Sequence, residues 1–432
     1  MSTKAPRKSR TALERRRASQ RATAGILEQR SLLTELKSLP TVRLRSVTFH
    51  PFVYRRMVDR ADPGARPGDV VAVLDRHNEL FGHGLFNPRS EIMIRMLELE
   101  RRVPDERFWQ ERVEKAVELR RGLLRLDQDS DAYRVVHAEA DGLSGLVVDR
   151  LGDVLSAEIH SLGMYQRATE LLARLAPLCG TRHTLIRVPD HVHGQEGFLA
   201  DTLRSEGCPA QVVINEFGTR FRVRFDEGHK TGFFCDQREN RRMLASYCAG
   251  RSVLDLCCYS GGFAIQSKRL GQAIDVTGVD LDERALGVAR ENAHLNQVRV
   301  HWVHADAFAY MRDMIANSRQ YDLVVLDPPK LVSSRRELDE GRRKHFDLNR
   351  LAMQLVKPGG LFLSCCCSGL IQEAEFREVL HAAARKATSD GAAGATARSI
   401  QILARGGAAP DHPVTPNCPE TEYLKVVWMR VL

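Results

Sequence analysis

The sequence predicts an α/β protein: a doubly wound parallel sheet in the C-terminal half, preceded by a small β-barrel and a central α+β module. Three observations predict it. Beyond about residue 240, apolar strand cores alternate with helical stretches, and that rhythm builds a parallel sheet with both faces covered. Between 41 and 100, short β-type runs are broken by Pro63-Gly64, Pro67-Gly68-Asp69 and Asn87-Pro88, as in a small barrel. Between Tyr133 and Phe225, strands surround one clear helix at 165–178.

At about 150 residues per domain, 432 residues suggest about three domains. Residues 1–40 read as a basic arm, flexible or partly helical over Ala12–Leu39 and closed by Pro40. The arm holds ten Lys/Arg against three Glu, so +7 of the chain's +9 lies there and the other 392 residues carry +2. Such an arm suits a polyanionic partner and equally a solvated tail. Glu14, Glu28 and Glu35 weigh against an organelle leader.

The barrel and its following helix are expected over 41–126, with strands at Thr41–Leu44, Val70–Leu74 and Ile92–Leu97, and the helix over 104–126. The central module takes 127–225. The last domain takes 226–432, with strand cores at Ser252–Cys257, Val276–Val279, Val300–Val303, Leu323–Leu326 and Leu361–Ser364. Lys357-Pro358-Gly359-Gly360 reads as a hairpin-like approach to the fifth of these, and the Ala/Gly-rich 386–409 as a loop.

With 43% hydrophobic and 28% charged residues, the composition is that of a globular protein with a real core. No apolar run reaches 18 residues and no apolar stretch follows the basic N-terminus, so neither a membrane span nor a secretory signal is expected. Ten cysteines, several adjacent, point to free thiols in a reducing, cytoplasmic setting. No paired C-x-x-C spacing suggests a zinc site, and no metal is expected.

The first strand of the last domain runs into Cys257-Cys258-Tyr259-Ser260-Gly261-Gly262-Phe263. A tight turn with two glycines lets backbone approach a ligand at the sheet edge. The G-x-G-x-x-G spacing that seats a pyrophosphate is absent. Asp255 lies in the first strand, Asp280 ends the next, where a carboxylate accepts from a ribose diol, and Asp306 follows the third beside Phe308, suited to an adenine amine. Each acid alone also fits a loop cap. Together they imply a ligand with ribose and adenine but no phosphates: S-adenosylmethionine, SAM.

The fourth strand ends in Asp327-Pro328-Pro329-Lys330. Two prolines stiffen the turn, so Asp327 is held where it can meet both the methyl donor and the edge of a planar base. The fifth ends in Cys365-Cys366-Cys367-Ser368-Gly369. Cys365 and Cys366 read as small buried hydrophobes. Cys367 stands on the same edge as Asp327, and a thiolate adding to C6 of a pyrimidine makes its C5 nucleophilic. Before the domain lies Glu227-Gly228-His229-Lys230-Thr231-Gly232-Phe233-Phe234-Cys235-Asp236-Gln237-Arg238. Its Lys230, Thr231, Gln237 and Arg238, with Pro328, Pro329 and Lys330, are candidates for covering donor or base, although a structured interdomain linker would carry the same residues.

These motifs together resemble the PUA-containing class I methyltransferases that form 5-methylcytosine in bacterial 23S ribosomal RNA. The resemblance covers about 41–432. It includes Gly82-His83-Gly84-Leu85-Phe86-Asn87-Pro88-Arg89-Ser90, Glu139-Ala140-Asp141-Gly142-Leu143-Ser144-Gly145, Asp411-His412-Pro413-Val414 and Pro419-Glu420-Thr421-Glu422-Tyr423-Leu424-Lys425. It implies a PUA-like RNA-binding barrel, a central α+β module and a Rossmann-like SAM-dependent domain. It also implies a 23S ribosomal RNA partner, and the family is often dimeric, so a homodimer is an expectation. It gives the nucleophile role to Cys367 and the base-contacting role to Asp327. Pro329 stands where other cytosine-5 RNA enzymes place a second cysteine, which leaves the base that removes the C5 proton unidentified. Methylation at uridine C5 or a purine nitrogen, and a non-catalytic RNA-binding assembly factor, are the rival readings.

Overall fold

The computed structural model describes residues 24–33, 39–226, 231–387 and 397–432. The barrel has six strands, β1 (Thr41–Leu44), β2 (Phe52–Tyr54), β3 (Val58–Ala61), β4 (Val70–Leu74), β5 (Leu80–Phe86) and β6 (Ile92–Glu98), in the order β2-β6-β5-β4-β1-β3. Val42, Leu44, Val53, Val71, Val73 and Ile94 form its core. Strand β5 is not evident in the sequence because Gly82 and Gly84 interrupt its apolar pattern. A Cβ on Gly82 would lie 2.2 Å from the Glu98 carbonyl oxygen, and one on Gly84 2.4 Å from Ile94, so glycine is what lets β5 and β6 close up.

The central module begins with helix α1 (Glu106–Val117), which passes into a π turn over Glu118–Leu123. Strands β7 (Ala132–His137), β8 (Leu146–Leu151), β9 (Val154–Ile159), β10 (His183–Arg187) and β11 (Leu203–Arg204) form a sheet in the order β11-β10-β9-β8-β7. Helix α2 (Leu162–Cys179) carries the long amphipathic stretch, and α3 (Asp190–Glu196) follows β10. The hairpin β12 (Gln211–Glu216) and β13 (Thr219–Arg224) leads on to the last domain.

That domain contains α4 (Arg238–Ala245), β14 (Ser252–Leu256), α5 (Gly262–Arg269), β15 (Asp275–Asp280), α6 (Glu283–Leu295), β16 (His301–His304), α7 (Ala307–Ala316) and β17 (Tyr321–Leu326). It continues with α8 (Leu338–Gln354), β18 (Val356–Cys366), α9 (Glu373–Lys386), β19 (Ile400–Gly406) and β20 (Lys425–Val431). The strand order is β16-β15-β14-β17-β18-β20-β19.

Three sequence expectations need correction here. The sheet is not wholly parallel: β20 runs antiparallel to both β18 and β19. The 386–409 stretch is not all loop, since the edge strand β19 lies in it. Lys357-Pro358-Gly359-Gly360 lies inside β18, where Gly359 at φ +78° accompanies a register irregularity opposite Tyr321–Leu323.

The arm is also corrected in part. Residues 24–33 are docked on the body: Leu32 is wholly buried in the central core, and its backbone N–H donates to the Glu170 carboxylate at 3.1 Å. Arg30 pairs with Asp69 of the barrel. Residues 1–23 and 34–38, and with them most of the expected helix over Ala12–Leu39, lie outside the described residues.

Candidate active site

Register places the strand tips side by side. Leu256 pairs with Val279 and with Leu326, and Leu326 pairs with Ser364, so Asp280, Asp327 and Cys365–Cys367 emerge along one edge of the sheet. The backbone N–H of Asp327 donates to the Leu256 carbonyl at 3.3 Å and carries the pairing one residue past β17.

The turn after β14 is built from backbone that side chains rarely tolerate. Cys257 (φ +61°), Tyr259 (φ +49°) and Gly261 (φ +84°) all lie in the left-handed region. A Cβ on Gly261 would lie 2.6 Å from Trp302. Asp280 holds the turn: one oxygen accepts from Tyr259 N–H at 2.7 Å and the other from Asp282 N–H at 2.9 Å. Asn292 of α6 donates to the Ser260 carbonyl at 3.1 Å. Tyr259 is half-buried with its ring edge-on to Phe234, centroids 5.1 Å apart, while Ser260 and Phe263 are buried. Gly262 opens α5, where a Cβ would lie 3.0 Å from the Arg241 side chain.

Asp255 is fully buried and accepts from Ala264 N–H at 3.0 Å, fixing the start of α5. Burial pushes its carboxyl well above the usual range, and the Asp327 and Asp280 charges add to that against the Ala264 bond. Asp306 is exposed and caps α7 by accepting from Ala309 N–H at 3.0 Å. Capping leaves it at the tip of the third strand, with half-buried Phe308 two residues on.

On the chemistry side, Gln237 Nε2 donates to Asp327 Oδ2 at 3.0 Å and lies 3.4 Å from Cys365 Sγ. Asn240 donates to Gln237 Oε1 at 2.7 Å, which sets the amide's orientation. Cys367 is half-buried, and its thiol lies 3.8 Å from the Pro328 carbonyl oxygen, against the backbone that carries Asp327. Cys365 and Cys366 are fully buried, as the sequence predicts, and burial drives both thiols up. Pro328 is buried, whereas Pro329 and Lys330 are exposed.

Two loop candidates face elsewhere. Arg238 is 1% exposed and makes a two-pronged ion pair with Asp411 at 2.9 and 3.0 Å, so it ties the loop to the C-terminal segment instead of reaching a substrate. Thr231 is buried, its hydroxyl donating to Asp149 and its carbonyl accepting from Ser156. Lys230, with Glu227, Gly228 and His229, lies outside the described residues.

Residues 186–392 match the S-adenosylmethionine-dependent methyltransferase family, and residues 44–99 a PUA-like domain. Over 388 residues, 89% of this chain and 95% of the relative, the chain is 33% identical to ribosomal RNA large subunit methyltransferase I of Pseudoalteromonas atlantica. It is 34% identical to the protein of that name from Erwinia tasmaniensis over 392 residues, 89% of this chain and 96% of the relative. The chain belongs to the ribosomal RNA large subunit methyltransferase I family. The fold agrees: a Streptococcus mutans chain assigned as a SAM-dependent methyltransferase superposes with a TM-score of 0.72 at 19% identity, over 90% of this chain and 100% of that one. A methyltransferase assignment complexed with SAH gives 0.75 at 18%, over 90% and 99%.

The methyltransferase's cofactor is therefore SAM, and the strand tips fit it. The turn takes its left-handed course at Gly261, where Trp302, Ile265 and Ala289 occupy the space a Cβ would need. Each Asp280 oxygen keeps acceptor capacity beyond its one backbone bond, as a ribose diol requires. Tyr259 to Phe263, Asp280, Asp306 and Asp327 are the candidates that could hold it. Among the described residues, no helix is long and apolar enough to cross a membrane.

Proposed function

We propose that this family member forms 5-methylcytosine in 23S ribosomal RNA through a transient covalent bond between Cys367 and C6 of the base. The observation that carries it is the meeting of two strand tips: the Cys367 thiol lies 3.8 Å from the Pro328 carbonyl oxygen, one residue from Asp327, whose N–H bonds the Leu256 carbonyl just ahead of the turn at Gly261.

Cys367 thiolate adds to C6, and the C5=C6 electron pair moves onto C5. SAM, held by Tyr259 to Phe263 and Asp280, would supply the electrophilic methyl group that C5 accepts, S-adenosylhomocysteine being the leaving group. Loss of the C5 proton to a base then restores the double bond and expels Cys367 as thiolate. Asp327, held by Gln237, receives the edge of the pyrimidine. Pro328 and Pro329 keep that carboxylate from swinging away, and exposed Lys330 lies at the mouth for an RNA phosphate. The target base has to leave its stack, so the substrate is a loop or partly assembled RNA. The PUA-like barrel would hold RNA beside the cleft, and the enzyme would work in the cytoplasm as a homodimer.

Cys367→Ala is expected to keep SAM binding and lose turnover, and RNA containing 5-fluorocytidine to accumulate as an adduct on the wild-type protein. Full activity in Cys367→Ala overturns the mechanism. Bisulfite mapping of ribosomal RNA from a strain lacking the gene separates cytosine from uridine C5 as the target.

A further inference from the structure

The C-terminal segment Thr421-Glu422-Tyr423-Leu424-Lys425 has no part in the chemistry above, yet it ends beside the nucleophile. Lys425 opens β20 opposite Cys366 and is only 6% exposed. Its ammonium donates to the Ser368 carbonyl at 2.6 Å and to the Tyr423 carbonyl at 2.9 Å. It forms no ion pair with a carboxylate among the described residues. A buried ammonium with only neutral acceptors in contact is costly unless an anion forms close by.

Ser368 is the residue after Cys367, and it is held from three sides. Its carbonyl accepts from Lys425 and from Ile371 N–H at 3.1 Å, and its hydroxyl accepts from Val332 N–H at 3.2 Å. Lys425 thus fixes the turn that presents the thiol. The groups within its electrostatic reach are Cys366 at the end of β18, Cys367 just after it, Glu422 ahead of β20, Glu375 on α9 and His345 on α8. Burial drives His345 down to about 4, so it adds no positive charge at neutral pH. Asp327 raises the neighbouring Cys365 thiol, so a carboxylate as well as this ammonium acts near the end of β18. Cys366 is sealed in the core whereas Cys367 is half-buried, so the thiolate that Lys425 can favour to chemical effect is that of Cys367.

We propose that Lys425 is the positioning residue of the nucleophile, pinning the Cys367 turn and supplying the positive charge against which its thiolate forms. This rests on Cys367 as the attacking group. The proposal concerns the thiol itself, so its test does not use turnover.

The experiment follows iodoacetamide alkylation of Cys367 against pH in the full-length protein, with tandem mass spectrometry separating it from Cys365 and Cys366. The wild-type midpoint is expected below the ordinary thiol value of about 8.5. In Lys425→Gln, which keeps a donor but loses the charge, the midpoint is expected to rise by about one pH unit, with about tenfold slower alkylation at pH 7. Lys425→Arg is expected to restore the wild-type profile. A Lys425→Gln profile that superimposes on wild type overturns the proposal. So does a wild-type midpoint at or above about 8.5, which needs no variant to fold. Activity of Cys367→Ala is read separately and decides the nucleophile alone.

Discussion

Gln237 Nε2 sits 3.0 Å from Asp327 Oδ2 and 3.4 Å from Cys365 Sγ, so one amide joins the segment before the Rossmann-like sheet to two of its central strands. The amide cannot turn freely, because Asn240 holds its oxygen. Gln237→Leu frees the Asp327 carboxylate to drift while leaving the turn at Gly261 untouched. The expected result is a fall in kcat of about tenfold to a hundredfold, the scale of a small misplacement at a reacting centre. SAM affinity, measured by calorimetry, should fall less than kcat, because of the residues that could hold SAM this amide touches only Asp327, while Asp280 keeps its bonds to the turn. An unchanged kcat would show that Asp327 needs no such support.

Gly261 combines a left-handed φ of +84° with a neighbour, Trp302, that leaves no room for a methyl group. Gly261→Ala meets both obstacles, and the strain of about 1–3 kcal/mol falls on the turn that would receive SAM. Affinity for SAM is expected to fall at least about tenfold, because about 1.4 kcal/mol is a factor of ten in binding. Adding Trp302→Leu removes the clash but not the backbone strain. Partial recovery in the double variant is therefore the diagnostic result in a calorimetric titration, and full recovery would assign the whole effect to sterics.

The parts of the site legible in the sequence were those whose chemistry is local. Asp280, Asp306 and Asp327 announce themselves because a carboxylate at the end of an apolar strand is visible in a few residues. Cys367 was legible by its place at a strand end. Arg238 and Thr231 misled for a physical reason: polar residues in a loop look alike whether they face a cleft or an ion-pair partner far along the chain. Arg238 is paired with Asp411, 173 residues away, and Thr231 with Asp149, 82 residues away. Strand β19 was hidden because an edge strand needs little apolar patterning, and Lys425 because its role depends on β20 returning beside β18.

His345 is buried between α8 and α9, edge-on to Phe376 with centroids 5.4 Å apart, and neither ring nitrogen has a hydrogen-bond partner among the described residues. Burial, helped by the nearby Lys425 charge, pushes it down to about 4. The unfolded chain therefore binds a proton below about pH 6.5 that the folded protein refuses until about pH 4. Stability should fall as the pH drops through that window, by on the order of 3 kcal/mol, and this contribution should level off below it. Denaturant titrations of wild type and His345→Leu at pH 7 and pH 4.5 test this: the gap between the two pH values should shrink in the variant.

Leu32 separates two roles of the basic N-terminal segment, docking on the body and binding RNA phosphate. It is fully buried in the central core, with Arg30 beside it on Asp69 and its own N–H on Glu170. Leu32→Ala should lower unfolding free energy by about 2–5 kcal/mol, as for other buried leucines, without changing how RNA affinity varies with salt. Removing residues 1–23, which hold eight Lys/Arg against one Glu, should do the reverse: little effect on the thermal midpoint and a shallower dependence of RNA affinity on salt, because fewer counterions are released. If truncation left the salt slope unchanged, phosphate binding by residues 1–23 would be ruled out.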